Sequence, residues 1–208
     1  MARQILSRRD VERATFVDFE GRIDAPPVLL GVATFEAGEA SFRQSVLDER
    51  YRPAADAKAL RTMTLEEAVL AVVELAEGRD GPIVGWSRHE DELIRRRCPG
   101  PLADRFGARY VNAIPTAARW RRALGLPRDP DGERLAWYLR QAGMRVAPVH
   151  GTGRTGSTLA IVGKALEQGG GYAALTPRRR ARWTALLAHN RIDVLGMREI
   201  CDRATAAA

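Results

Sequence analysis

ATFVDFEGRIDAPPVLLGVATFEAGEASFRQSVL, residues 14–47, holds three short runs rich in β-branched and aromatic side chains. The runs span 14–20, 28–36 and 40–47, parted first by Gly21 with Pro26 and Pro27 and then by 37–39 around Gly38. Such side chains suit a pleated strand, and Gly and Pro punctuate strands where the chain must turn. Connections this short join antiparallel neighbours, so a three-stranded meander is expected.

Thr64 opens the next element. In TLEEAVLAVVELAE, Thr64 and Glu67 fit a capping box, Leu65, Ala68, Val69, Val72 and Val73 form one apolar stripe, and Gly78 ends the helix. A short strand over 82–86 (PIVGW), a polar helix over about 89–97 and a fifth strand over 109–114 (RYVNAI) follow, with Pro115 suited to the first turn of another helix. Helices are expected over 116–124, 133–142, 157–168, 177–188 and 190–204, with 169–171 as a breaker and the Pro-Gly stretch 125–132 as a loop. No repeat of fixed period is present. The pattern describes an α/β sandwich around one mixed sheet of five strands, three antiparallel and then two parallel, flanked by helices. It forms a single domain over 1–208 with its core over about 14–204.

The composition narrows the class. A chain of 208 residues, 45% hydrophobic and 6% aromatic, suits one compact domain. Charge interrupts the apolar stretches well short of the run of about 20 that a bilayer requires, so no membrane span is expected. MARQILSRRDVERAT carries charges where a secretory leader is apolar, and Cys98 and Cys201 lack CxxC spacing or a Cys/His cluster. A reducing cytoplasm, without disulfide scaffold or zinc site, is the expected setting. The net charge of +7 favours a polyanionic partner. Of the basic residues 31 are Arg and 2 Lys, a bias that a GC-rich gene also produces. Arginines cluster at Arg95 to Arg97, at Arg119, Arg121 and Arg122, and at Arg178 to Arg180 with Arg182, either as solvated helix faces or as tracks for phosphates.

Three places carry candidate chemistry. Asp18 and Glu20 lie two apart on a strand, so both carboxylates project from one face, roughly 7 Å apart along the chain, with Phe16 beside them and Thr15, Val17 and Phe19 opposite. A D-x-E string occurs about once by chance at this composition, and here it also occurs at Asp10/Glu12 and Asp131/Glu133. Only Asp18/Glu20 falls in a strong strand pattern, where acids are unfavourable unless a cation or solvent compensates; the plainer reading is an edge strand with one wet face. His189 and Asp193, at i and i+4 of a helix, interrupt a seam of Leu186, Met197 and Ile200, either as chemistry or as a satisfied core histidine. SRHEDEL, residues 87–93, follows the strand PIVGW at a place where α/β sheets build sites, although Glu90, Asp91 and Glu92 also suit a helix N-terminus electrostatically.

Taken in order, DFE on the first strand, WSRHE from Trp86 to Glu90 and HNRIDV from His189 to Val194 resemble the motifs of the DEDD exonuclease superfamily of the ribonuclease H-like fold. The bacterial branch of predicted ribonuclease-H-like domains is the most similar, and the resemblance spans about 14–204. It implies a nuclease that removes nucleotides from the 3′ end of DNA or RNA with two Mg²⁺ or Mn²⁺ ions. Asp18, Glu20, Asp193 and Glu90 would be metal ligands, with Glu90 in place of the usual aspartate of the second motif, and His189 would be the general base. Its spacing of four from Asp193 is that of the tyrosine-type branch of the superfamily. Oxygen-rich ligands of this kind select hard cations over zinc, and two such ions suit phosphodiester hydrolysis. A ribonuclease H-like module that binds nucleic acid without cutting shares these features.

A rival lies in HGTGRTGSTLAIVG, residues 150–163, where Gly151, Gly153 and Gly156 match the glycine pattern of dinucleotide-binding loops. Pro148 interrupts the strand that should precede it, and no following strand completes a βαβ unit.

Overall fold

The computed structural model describes residues 4–22, 25–144, 146, 154–169 and 171–206. Helix α1 (Arg8–Arg13) precedes the meander of β1 (Thr15–Glu20), β2 (Leu29–Glu36) and β3 (Glu39–Val46). Ala37 and Gly38, both at positive φ, turn β2 into β3, the backbone that a two-residue hairpin of right-handed twist requires. After a 3-10 turn and the short α2 (Arg52–Asp56), β4 (Arg61–Thr62) adds an edge strand. There follow α3 (Leu65–Gly78), β5 (Ile83–Gly85), α4 (His89–Arg97), α5 (Gly100–Arg109) and β6 (Tyr110–Asn112). Helices α6 (Ile114–Ala123), α7 (Leu135–Gln141), α8 (Arg154–Glu167) and α9 (Pro177–Ala206) complete the described chain.

The sheet has six strands, not five, in the order β4-β3-β2-β1-β5-β6. β1, β2 and β3 are antiparallel, β5 and β6 run parallel to β1, and the additional β4 pairs parallel with the end of β3 through Ser45↔Arg61 and Val46↔Thr62. Two residues carry no periodicity, which is why the edge strand is silent in the sequence. β1 is central, paired with β2 on one side and β5 on the other. The wet edge strand that would have accounted for Asp18 and Glu20 is thereby removed.

Alternation along β1 sorts its side chains between two cores. Val17 and Phe19 join Val69, Val72, Val73 and Ile83 under α3, with Ile94 and Phe106 from α4 and α5. Phe16 joins Val194, Met197 and Ile200 of α9 on the other face, with Ala117, Trp120 and Tyr138 of α6 and α7. Each such valine or leucine withdrawn from water contributes about 1.5–3 kcal/mol before entropy is counted. A third cluster closes the β2–β3 end under α8 and the start of α9, around Tyr51 and Trp183.

Several helices differ from expectation for local reasons. The expected helices over 177–188 and 190–204 are one helix of 30 residues, because no proline follows Pro177 and the single glycine, Gly196, is held against Leu139. α5 hides in a Pro-Gly-rich stretch; its prolines sit at the helix start, where a missing N–H costs nothing, and Ala103 and Phe106 supply the buried face. α1 is closed by a Ser7/Asp10 capping box and buries Val11, so the core begins ahead of residue 14. Thr64 and Glu67 form the expected capping box of α3. Cys98 and Cys201 are free thiols. Among the described residues no helix is long and apolar enough to cross a membrane.

Candidate metal centre

The C-terminal half of β1 delivers Asp18 and Glu20 to the face that α9 covers. α9 answers with His189, Asn190 and Asp193, placed together by its 3.6-residue turn. One ligand atom each from Glu20, His189 and Asp193 lies within 4.8 Å of the others. His189 Nε2 stands 3.6 Å from Glu20 Oε1 and 3.4 Å from Asp193 Oδ2. Glu20 is 8% exposed, and its Oε1 is buried without a hydrogen bond.

Asp18 is held from α9. Asn190 Nδ2 donates to the Asp18 main-chain oxygen at 3.0 Å and to Oδ2 at 2.8 Å. Asn190 is itself fixed: Gln44 Nε2 donates to its Oδ1 at 2.8 Å and to the Leu187 carbonyl at 2.9 Å. Asp18, Gly31 and Gln44 form one row across β1, β2 and β3. A Cβ on Gly31 would overlap Asn190 Oδ1 and crowd Val194, so the bare glycine lets α9 settle onto the sheet and lets Gln44 reach across.

Glu90 arrives from the other side by the same device. Tyr110 on β6 donates its hydroxyl to Glu90 Oε2 at 2.8 Å, and Ser87 Oγ donates to the same oxygen at 3.2 Å. The Tyr110 hydroxyl also lies 2.5 Å from the Ser87 carbonyl oxygen. It occupies the space a Cβ on Gly85 would need. Asp91 turns away to pair with Arg95 at 3.1 Å, and Glu92 is exposed.

Charge accumulates where these acids meet. Asp18 is pushed up to about 7, first by withdrawal from water and next by the charge on Glu90, against the pull of the Asn190 hydrogen bond. Glu20 is held well above the ordinary range by burial, then by Asp18 and Asp193, with a hydrogen bond from Thr155 of α8 opposing. Asp193 is raised by burial and by Asp18. Tyr110 is raised by burial and by Glu90. Acids raised by burial and then by neighbouring carboxylates mark a place where a cation would be stabilising.

The structure therefore brings Glu20, His189 and Asp193 together, sets Asp18 beside them as a charged neighbour, and places Glu90 where its charge acts on Asp18. Sequence reasoning missed the residues that hold them: Gly31, Gln44, Gly85, Tyr110 and Thr155. Asn190, inside HNRIDV, has no role that the sequence alone declares, and the structure shows it holding Asp18. Gly151 and Gly153 of the glycine pattern lie outside the described residues, as does Pro148. Gly156 lies in the first turn of α8, which begins three residues earlier than expected, and no strand follows it among the described residues. The nucleotide-binding βαβ unit is thus not completed there. No family model matches the sequence, and comparison with curated proteins and with solved structures finds no match.

Proposed function

We propose that this chain is a metal-dependent phosphodiester hydrolase acting on nucleic acid, a nuclease of the DEDD type on a ribonuclease H-like sheet, trimming strands from the 3′ end. The observation that carries the reading is the gathering of Glu20, His189 and Asp193 within 4.8 Å of one another, with Asp18 and, through it, Glu90 as charged neighbours. Burial and those neighbours raise the pKa values of Asp18, Glu20 and Asp193. The donor set fits a hard divalent cation: every acid offers oxygen, and Glu20 Oε1 is buried without a hydrogen bond. Asp18, Glu20 and Asp193 would hold Mg²⁺ or Mn²⁺, and Glu90 would complete the set for a second ion. Bound there, such ions polarise a phosphoryl oxygen and acidify water at neutral pH.

The chain's own groups do the rest. Asn190, braced by Gln44, fixes the Asp18 carboxylate, and Tyr110 with Ser87 fixes Glu90. His189 accepts the proton of the attacking water at Nε2 as the bond from phosphorus to the leaving 3′ oxygen breaks. The Arg-rich surface attracts the polyanion.

The test is digestion of 5′-labelled single-stranded DNA and RNA in Mg²⁺, in Mn²⁺ and in EDTA. A ladder shortening from the 3′ end with either ion, and none with EDTA or with Asp18→Asn, is expected. Intact substrates in Mn²⁺ overturn the reading. One observation favours the silent binding module instead: His189 Nε2 stands against both Glu20 and Asp193 in the place a cation would take. Retained oligonucleotide binding, with Mn²⁺ neither raising the melting temperature nor supporting cleavage, selects that module.

A further inference from the structure

A cavity of about 480 Å³ opens beyond the C-terminal end of β6, and four arginines line it. α6 contributes Arg121 and Arg122, the start of α4 contributes Arg88, and the loop after α6 contributes Arg128; Glu133 is the one carboxylate on its wall. Arg121 is 6% exposed. Its Nε is buried without an acceptor, its Nη1 reaches the Leu126 carbonyl at 3.4 Å, and its Nη2 stands 3.9 Å from Glu133 Oε1. The other oxygen of Glu133 is taken by the Tyr138 hydroxyl. Among the described residues, the guanidinium groups of Arg88, Arg122 and Arg128 make no ion pair or hydrogen bond. Four like charges around one cavity repel one another, and withdrawing Arg121 from water without full pairing is costly.

An oxyanion relieves both penalties. Guanidinium groups present paired N–H donors that match phosphate geometry. The cavity also stands beside the carboxylates: Arg88 is two residues before Glu90, and Asn112, on the cavity wall, ends the strand next to β5. With strands about 4.8 Å apart and Asn112 level, through Gly85, with Val17, the end of β6 lies roughly 10 Å from β1 one residue before Asp18.

We propose that this cavity is a phosphate-binding site that holds a backbone phosphate of the nucleic-acid strand presented to the carboxylates, an inference that rests on the hydrolase reading for its choice of strand. Binding is separable from cutting, so the test uses the whole chain in EDTA and reads anisotropy of a labelled single-stranded oligonucleotide. The double variant Arg122→Ala with Arg128→Ala alters exposed residues, and circular dichroism checks its fold. It should weaken binding about tenfold to a hundredfold and lower the slope of log K against log salt by about 0.7, the share of one phosphate on a single strand. Lys58→Ala with Arg61→Ala, removing two charges by the opposite sheet edge, should do much less. Equal losses in both double variants, unchanged binding in the first, or a wild-type chain that binds no strand each overturn the proposal. So does a cavity that takes inorganic phosphate or a nucleoside monophosphate in calorimetry while strand affinity ignores Arg122 and Arg128. Cleavage in Mn²⁺ is scored separately. A chain that binds through the cavity but does not cut overturns the hydrolase reading alone, and one that cuts while the double variant binds normally overturns the cavity alone.

Discussion

Glu90, Asp91 and Glu92 occupy successive positions in the first turn of α4, and about 100° of helical rotation separates each from the next. Glu90 turns inward to Tyr110 and Ser87, Asp91 to Arg95, and Glu92 to solvent. Glu90→Gln should therefore reduce cleavage severely, by about 10²-fold or more, and raise the Mn²⁺ concentration for half-maximal rate, while Asp91→Asn and Glu92→Gln stay near wild type. Sensitivity of Asp91 with a silent Glu90 would show that another acid serves the site. His189→Ala should lower kcat by about 10²- to 10⁴-fold, as loss of a general base does, and leave the melting temperature close to wild type. Unfolding by that substitution would mark the histidine as a core residue. Asp18→Asn should abolish turnover yet leave the metal-free protein as stable or more so, since it deletes a charge repelled by its neighbours. A fall in its metal-free melting temperature would contradict that electrostatic account.

Between elements, the decisive contact is α9 on β2 at Gly31. Gly31→Ala should cost about 1–3 kcal/mol, the ordinary penalty of overpacking, and activity should fall further than stability because Asn190 is displaced from Asp18. Full activity in a stable Gly31→Ala protein would mean that the Gln44–Asn190–Asp18 chain is dispensable. The loop between α6 and α7 offers a pH test. Asp129, its side chain wholly buried, accepts hydrogen bonds from the Arg134 main chain and guanidinium. Led by those side-chain bonds, its carboxyl falls to about 2. A depressed folded-state pKa contributes stability that is complete above the unfolded value near 3.9 and is lost as pH falls through about 2. The melting-temperature gap between wild type and Asp129→Asn should then be constant above about pH 5 and close on acidification. A gap that widens below pH 4 would refute this.

The same contacts explain what is legible in the sequence. The meander, α3 with its cap, β5 and α4 declare themselves because each pattern is local: alternation, a helical stripe, a Gly or Pro stop. Asp18/Glu20 and His189/Asp193 are legible as pairs for the same reason, strand and helix spacing being fixed by geometry. Gln44 meets Asn190 across 146 residues and Tyr110 meets Glu90 from a neighbouring strand. No local period encodes such meetings, which exist only once the register is set. β4 and α5 escape because one is two residues long and the other begins among prolines and glycines.

For the molecule as a whole, an acidic centre is embedded in a chain of net charge +7. Mn²⁺ should raise the melting temperature in proportion to the logarithm of its concentration above Kd, and Asp18→Asn should blunt the rise. An equal rise in both proteins would place the ion elsewhere. The long α9 adds a consequence of another kind. At 30 residues it runs about 45 Å, and Asn190 to Asp193 lie near its middle, with Val194, Met197 and Ile200 fully buried just beyond. Helices fray from their ends, and amides at the centre of a core helix exchange with solvent only when the whole cooperative unit opens. The amides of 190–197 should accordingly be among the slowest in the protein to take up deuterium. Thermal loss of activity and thermal loss of near-ultraviolet dichroism should then trace one curve, with no temperature at which the molecule is folded but its site has come apart.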